Sequence, residues 1–295
     1  MQHRPVGAMD VGGSHVSAAI IDSTGTTIRR RDRSLDSSAG REALLGQLLG
    51  PARELAEPGM SWVIALPGPF DYPAGVGSFA GVGKFQSIAG LPLREPIATA
   101  LGAPPAEVRF VNDAIAYGIG EWAADAERLR RLVCITLGTG VGSAFLDRGL
   151  PVESGSDVPP HGWAFLIEVD GAPLEHSVST AAIVEAYRRA TGRTREVRDI
   201  ATGALAGDAP ARAVFERTMH ILGAALAPYI SRFATDELVI GGGISRSWSV
   251  IEEPLLAGLG TEHPHLSDLR VRPAVLGDDA PLLGAADWAR RTSAR

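Results

Sequence analysis

The chain has 295 residues, of which 45% are hydrophobic and 21% charged, with a formal net charge of −6. That composition is globular rather than disordered, and the length gives ample core for two lobes of ordinary domain size. The acid balance offers nucleic acid no general attraction, and the single cysteine, Cys134, excludes an intrachain disulfide and a multi-cysteine zinc site. No apolar run approaches the ~20 residues that span a bilayer. No basic segment with an apolar stretch behind it opens the chain, so the expectation is a cytoplasmic protein without membrane or nucleic-acid partners. Lys84 is the only lysine among 28 basic residues.

In chain order, residues 6–11 and 15–21 are apolar and β-rich around Gly12-Gly13-Ser14, and 26–33 suit an edge strand, which predicts an antiparallel meander. Residues 41–56 carry helical spacing that Pro51 should interrupt. Residues 61–68 read as a buried strand that ends in Pro67-Gly68, and 69–90 as a Gly- and Pro-rich loop lining a site. A strand over 107–113 runs directly into a helix over 114–130. Residues 131–149 predict a second strand, glycine turn and strand. Residues 150–160 are irregular, 163–169 strand-like, and 177–191 and 209–234 helical. A strand over 236–245 enters three glycines, a helix follows, 271–276 is a short strand and 281–292 the last helix. Strand, glycine turn and strand thus occur twice. Two similar α/β lobes follow, divided as 1–115 and 116–295, with the last helix packing back on the first lobe.

Four motifs carry chemistry. Asp10-Val11-Gly12-Gly13-Ser14 is a glycine hairpin whose N–H groups approach an anion unobstructed by Cβ atoms. Asp10, at a strand end, suits a hydrated Mg²⁺ held through water. An ordinary tight hairpin fits this motif equally well when it is read alone. Leu137-Gly138-Thr139-Gly140-Val141-Gly142 repeats the device, and a strand follows where a dinucleotide-binding fingerprint needs a helix. Asn112-Asp113 sits at a strand-to-helix junction, where Asp113 is either a helix cap or a base for a substrate hydroxyl. Gly241-Gly242-Gly243 between strand and helix allows a flat ring to lie against backbone, or a close helix–strand contact.

These motifs, in this order, resemble the repressor–ORF–kinase (ROK) family of sugar kinases over nearly the whole chain. DVGGSHVSAAIID looks like its phosphate-1 motif, LPGPFDYPAGV (66–76) its sugar-side loop and VNDAIAYGIGE (111–121) its catalytic stretch. ITLGTGVGSAF (135–145) looks like phosphate-2 and ELVIGGGIS (237–245) like its adenosine motif. The resemblance implies an α/β fold of the actin-like ATPase type, with two lobes and a cleft. It also implies phosphorylation of a hexose or hexose-like small molecule by ATP and Mg²⁺, and a homodimer. By resemblance, Asp113 is the catalytic base, and Asn112 with the loop around Pro67 and Gly68 meets the sugar. Asp10, Gly12, Gly13, Ser14, Gly138, Thr139, Gly140, Gly241, Gly242 and Gly243 then serve nucleotide and phosphate.

The departures are as informative. The family's Glu-x-Gly-His segment and zinc cysteines have no counterpart in residues 150–180, so no zinc is expected there. Leu174-Glu175 with Ser179 still matches the end of the zinc motif, which makes Glu175 a sugar-hydroxyl acceptor. His161 is either a remnant of the lost segment or a loop histidine. A changed set of hydroxyl partners points beyond plain glucose, to amino sugars such as kanosamine or to C7-cyclitols. Polyphosphate as donor and a catalytically silent sugar sensor are the alternatives. Repressors of the family carry an N-terminal DNA-binding domain, and Asp10 comes too early for one to precede it. Lys84 is either a solvated loop lysine or a group that reaches substrate or phosphate.

Overall fold

In a computed structural model, which describes residues 4–293, the chain is mixed α/β. In order it forms β1 (Val6–Val11), β2 (His15–Ile21), β3 (Thr27–Ser34), α1 (Arg41–Arg53) and β4 (Trp62–Leu66). A small hairpin follows, β5 (Phe70–Asp71) and β6 (Val76–Gly77), then α2 (Arg94–Leu101), β7 (Val108–Asn112) and α3 (Asp113–Ala124). Next come β8 (Arg131–Leu137), β9 (Val141–Asp147), β10 (Leu150–Pro151), β11 (Glu168–Val169) and β12 (Ala172–Pro173). The remainder is α4 (Glu175–Val178), α5 (Thr180–Thr191), α6 (Val197–Leu205), α7 (Ala209–Arg232), β13 (Glu237–Gly241), α8 (Glu252–Gly260), β14 (Arg270–Pro273) and α9 (Ala280–Ser293).

The chain divides into two compact units. One runs to Ala123 and takes in the C-terminal segment from Asp278; the other is Ala124–Gly277. The helix after Asp113 therefore stays nearly whole with the first unit instead of parting from it at 115/116. In that unit the sheet order is β3-β2-β1-β4-β7, antiparallel from β3 to β1 and parallel from β1 to β7. The second unit repeats the plan as β10-β9-β8-β13-β14, antiparallel through β8 and parallel beyond it. Every residue of β4 and of β13 is buried, as parallel strands covered on both faces require. β3, with its run TIRRRDRS, is the charged edge that discourages pairing with another chain. Each unit closes over its own apolar core, around Trp62 and Phe79 in the first and Phe145 and Phe215 in the second.

α9 lies on α3 at glycine contacts. A Cβ at Gly120 would stand 2.2 Å from the Ala280 carbonyl oxygen, and one at Gly284 1.8 Å from that of Ala116. The same helix packs on β1, β2 and β4.

Four expectations change. Pro51 lies inside α1, which it does not interrupt. Gly50, ahead of it, has no Cβ for the proline ring to strike, and the carbonyl left free belongs to the last turns. Residues 163–169 form a 3₁₀ turn (Ala164–Leu166) and a two-residue strand, since Ser143 Oγ takes the Ala164 N–H (2.8 Å) and donates to the Gly162 carbonyl (2.6 Å). The helix expected over 114–130 ends at Ala124, and Gly243–Val250 is 3₁₀ before α8 begins. α6 was not expected, although Val197, Ile200, Ala201 and Ala204 follow helical spacing.

Candidate active site

In the first unit, β1 delivers Asp10 to the mouth of a tight turn that the Gly12 N–H closes on the His15 carbonyl (2.9 Å). The Asp10 side chain keeps 14% of its surface exposed, and His15 Nε2 lies 3.4 Å from its Oδ2. That hydrogen bond, more than any other influence, raises the His15 pKa above its ordinary value. Ser14 is exposed at the turn tip.

β7 hands the chain to α3 at Asn112-Asp113. Asn112 is the residue that caps the helix, its Oδ1 accepting the Ile115 N–H at 3.1 Å. Asp113 is left for other work: its carboxylate accepts from backbone amides, that of Ala114 at 2.9 Å and its own. Burial first, and then the charge of Asp10, push Asp113 up to about 6; the two amides and Lys84 pull the other way. A buried carboxylate raised this way beside a second carboxylate is a common signature of functional sites.

Sequence reasoning overlooked Tyr72. Its hydroxyl donates to the Leu66 carbonyl (3.2 Å) and accepts from Asn112 Nδ2 (2.9 Å), so the half-buried Pro67-Gly68 loop and Asn112 are fastened together. The ring is supported by Phe70, 5.2 Å away between centroids, which in turn rests on Phe110. A hydroxylated aromatic in a Gly- and Pro-rich loop was the available signal.

In the second unit, the hairpin Gly138–Gly140 follows β8. Its Gly138 carbonyl accepts from the Thr180 N–H (2.8 Å), Gly138 faces open space and Thr139 is exposed. Glu175, at the start of α4, bonds the hairpin through Oε2, which accepts the Val141 N–H at 3.0 Å. Its carboxylate occupies the position where a side chain on Gly140 would go, 2.6 Å from a Cβ built there. Ser179 caps α5. Gly241 ends β13 buried, and Gly242, at φ 80°, lies so close to β8 that a Cβ would stand 2.3 Å from the Leu137 carbonyl oxygen. Gly243, by contrast, faces open space. The close packing expected of Gly243 thus belongs to Gly242 instead.

His161 is exposed, with φ 58° and its ring 4.9 Å from that of Trp163. Glu153 is its charged neighbour. Burial raises the Glu153 pKa and His161 opposes the rise.

A model of the ROK family matches residues 6–292. The chain belongs to the ROK family. Among its relatives, the glucokinase of Thermotoga maritima is 24% identical over 307 residues, covering 94% of this chain and 95% of that protein. The bifunctional enzyme NanE/NanK of Brucella melitensis is 25% identical over 286 residues, covering 97% of this chain and 54% of the enzyme. The chain therefore spans about half the length of that relative. Among solved structures, a ROK family glucokinase from Streptomyces griseus in complex with glucose and AMPPNP superposes with a TM-score of 0.73 at 22% identity, over 97% of this chain and 99% of that one. The ROK chain has the fold of these sugar kinases, the actin-like ATPase fold. Among the described residues, no helix is long and apolar enough to cross a membrane.

Proposed function

We propose that this ROK protein transfers the γ-phosphoryl group of ATP to a hydroxyl of a hexose or hexose-like molecule, with Asp113 as the general base. The observation that carries the reading is the Asp113 carboxylate. It is spared from capping by Asn112, lies near the charge of Asp10 and is raised to about 6. Such a group is ionised at pH 7 and still a competent proton acceptor. The hydroxyl oxygen attacks the γ-phosphorus, the bond to the β,γ-bridging oxygen breaks, and the hydroxyl proton goes to Asp113. ADP and a sugar phosphate leave. The two glycine hairpins supply N–H groups for phosphate oxygens, and the preorganised amides stabilise charge that spreads in the transition state. Asn112, held by Tyr72, and the Pro67-Gly68 loop orient the acceptor.

Mg²⁺ fits this reading. Among the described residues no cluster of three or more ligating side chains occurs, and Mg²⁺ does not require one: it is held by one or two carboxylates, substrate phosphates and waters. Asp10, partly shielded and 3.4 Å from His15 Nε2, would hold it through water. Bound there, the ion neutralises phosphate charge.

Glu175 takes a second part in this proposal. With one oxygen committed to the Val141 amide, it holds the second hairpin and leaves its other oxygen for a sugar hydroxyl. The changed 150–165 segment favours an amino sugar or a cyclitol over plain glucose as acceptor. A homodimer in the cytoplasm completes the proposal.

ADP release with Mg-ATP against glucose, N-acetylmannosamine, kanosamine, fructose and cyclitols tests the reading, with polyphosphate as a second donor. Turnover with at least one acceptor is expected. A chain that neither binds AMPPNP nor turns over any acceptor overturns it. Tyr72→Phe adds a finer check. Losing the Asn112 partner is expected to raise the acceptor KM by ~3–10-fold while kcat changes less, the size of one hydrogen bond. An unchanged KM would remove Tyr72 from acceptor positioning.

A further inference from the structure

The only lysine of the chain sits in a glycine-rich loop that is nonetheless fixed. Gly81 and Gly83 precede it with positive φ, but Phe79 and Phe85 on either side are buried, their rings 5.3 Å apart. The Phe85 N–H donates to the Ser37 carbonyl (2.9 Å), and Gln86 Nε2 donates to the carbonyls of Phe79 (2.6 Å) and Lys84 (3.3 Å). The loop base is therefore locked, and the Lys84 side chain leaves it in a defined direction.

That direction is onto the first hairpin. A Cβ built on Gly13 would stand 2.8 Å from both Cε and Nζ of Lys84 and 2.9 Å from Cδ. The space opened by the absence of a side chain at Gly13 is the seat of the lysine. Lys84 is half-buried, and none of the described residues gives its ammonium a hydrogen bond or an ion pair. It lies near enough to Asp113 to lower that group's pKa, but pairs with neither Asp113 nor Asp10. A compact cation laid beside hairpin amides, and held short of both carboxylates, is arranged to receive an anion.

We propose that Lys84 is a phosphate-binding residue of the proposed kinase reaction, its ammonium engaging the terminal phosphate of the nucleotide over Gly13. The inference rests on the kinase reading. The lysine then serves the phosphoryl group as it moves toward the acceptor, where the leaving and attacking oxygens share negative charge.

The test is calorimetric titration of the full chain, wild type and Lys84→Met, with Mg-AMPPNP and with Mg-ADP. Loss of a charge-assisted bond to the terminal phosphate is expected to weaken AMPPNP by ~10–100-fold and leave ADP within about twofold. Lys84→Arg keeps the charge and is expected to recover part of the loss; it also serves as the probe if the methionine variant fails to fold. An AMPPNP-to-ADP affinity ratio that Lys84→Met leaves unchanged overturns the proposal. An equal loss for both nucleotides does the same, because it makes the lysine a packing element of the hairpin. If the wild-type chain binds neither nucleotide, the kinase reading itself fails and takes this proposal with it.

Discussion

Asp113→Asn is expected to reduce kcat by about 10²–10⁴-fold, the usual contribution of a general base, and to make the folded chain more stable at pH 7. The two effects share one cause. Asp113 is raised to about 6 by burial and by Asp10, whereas the unfolded chain titrates this group near the ordinary value of about 4. Between those values the folded state holds the proton and the unfolded state has lost it. Stability therefore falls as pH rises through that window, and above about 6 the cost is constant. A shift of roughly two units corresponds to an upper figure of about 3 kcal/mol. Asparagine keeps an oxygen for the Ala114 amide and has no charge to bury, so the gain should be present at pH 7 and absent below pH ~4. Urea melts at both pH values, beside initial rates, check this. A variant that loses activity and stability together would make Asp113 a structural residue.

The same group sets the acid side of the rate profile. The base must be ionised, so kcat/KM is expected to fall as pH drops through about 6. Asp10→Asn removes the neighbouring charge, and the acid limb of whatever activity remains should move to lower pH. A limb that stays in place would mean that burial alone sets the Asp113 pKa.

The fold was readable where local chemistry decides it. The glycine pairs at 12–13 and 138–140 mark the hairpins between paired strands, and the apolar runs at 62–66 and 238–240 mark strands covered on both faces. The misreadings arise where a distant side chain competes. Residues 163–169 are rich in strand formers, but Ser143 Oγ takes the Ala164 N–H and donates to the Gly162 carbonyl just before them. The site was readable by residue type and not by state. That Asn112 caps α3, freeing Asp113, depends on which of two adjacent side chains turns back on the helix. That Tyr72 holds Asn112, and that Lys84 crosses Gly13, are contacts between distant segments with no periodic signal. Glu175 was legible by resemblance as a sugar-hydroxyl acceptor, but its bond to the Val141 amide was not.

Gly242→Ala and Gly243→Ala are expected to separate packing from ligand binding in the triple-glycine turn. Gly242 has φ 80° and ψ 178°, backbone that is essentially confined to glycine, and its missing Cβ would fall 2.3 Å from the oxygen and 2.7 Å from the nitrogen of Leu137. Leu137 ends β8 and leads into the second hairpin, so the strain would be relieved by moving that hairpin. A loss of about 3 kcal/mol or more is expected from conformation and overlap together, with AMPPNP binding weakened at least tenfold, or about 1.4 kcal/mol. Gly243 is exposed and a Cβ there meets nothing within 4 Å, so alanine should leave stability within about 0.5 kcal/mol. If a purine ring lies against this backbone, the added methyl still obstructs it, and Gly243→Ala should weaken AMPPNP binding without changing the melt. Thermal melts and AMPPNP titrations of the two variants decide the matter. Wild-type nucleotide affinity in a fully folded Gly243→Ala would place the purine elsewhere and leave the turn as a device for packing β13 against β8.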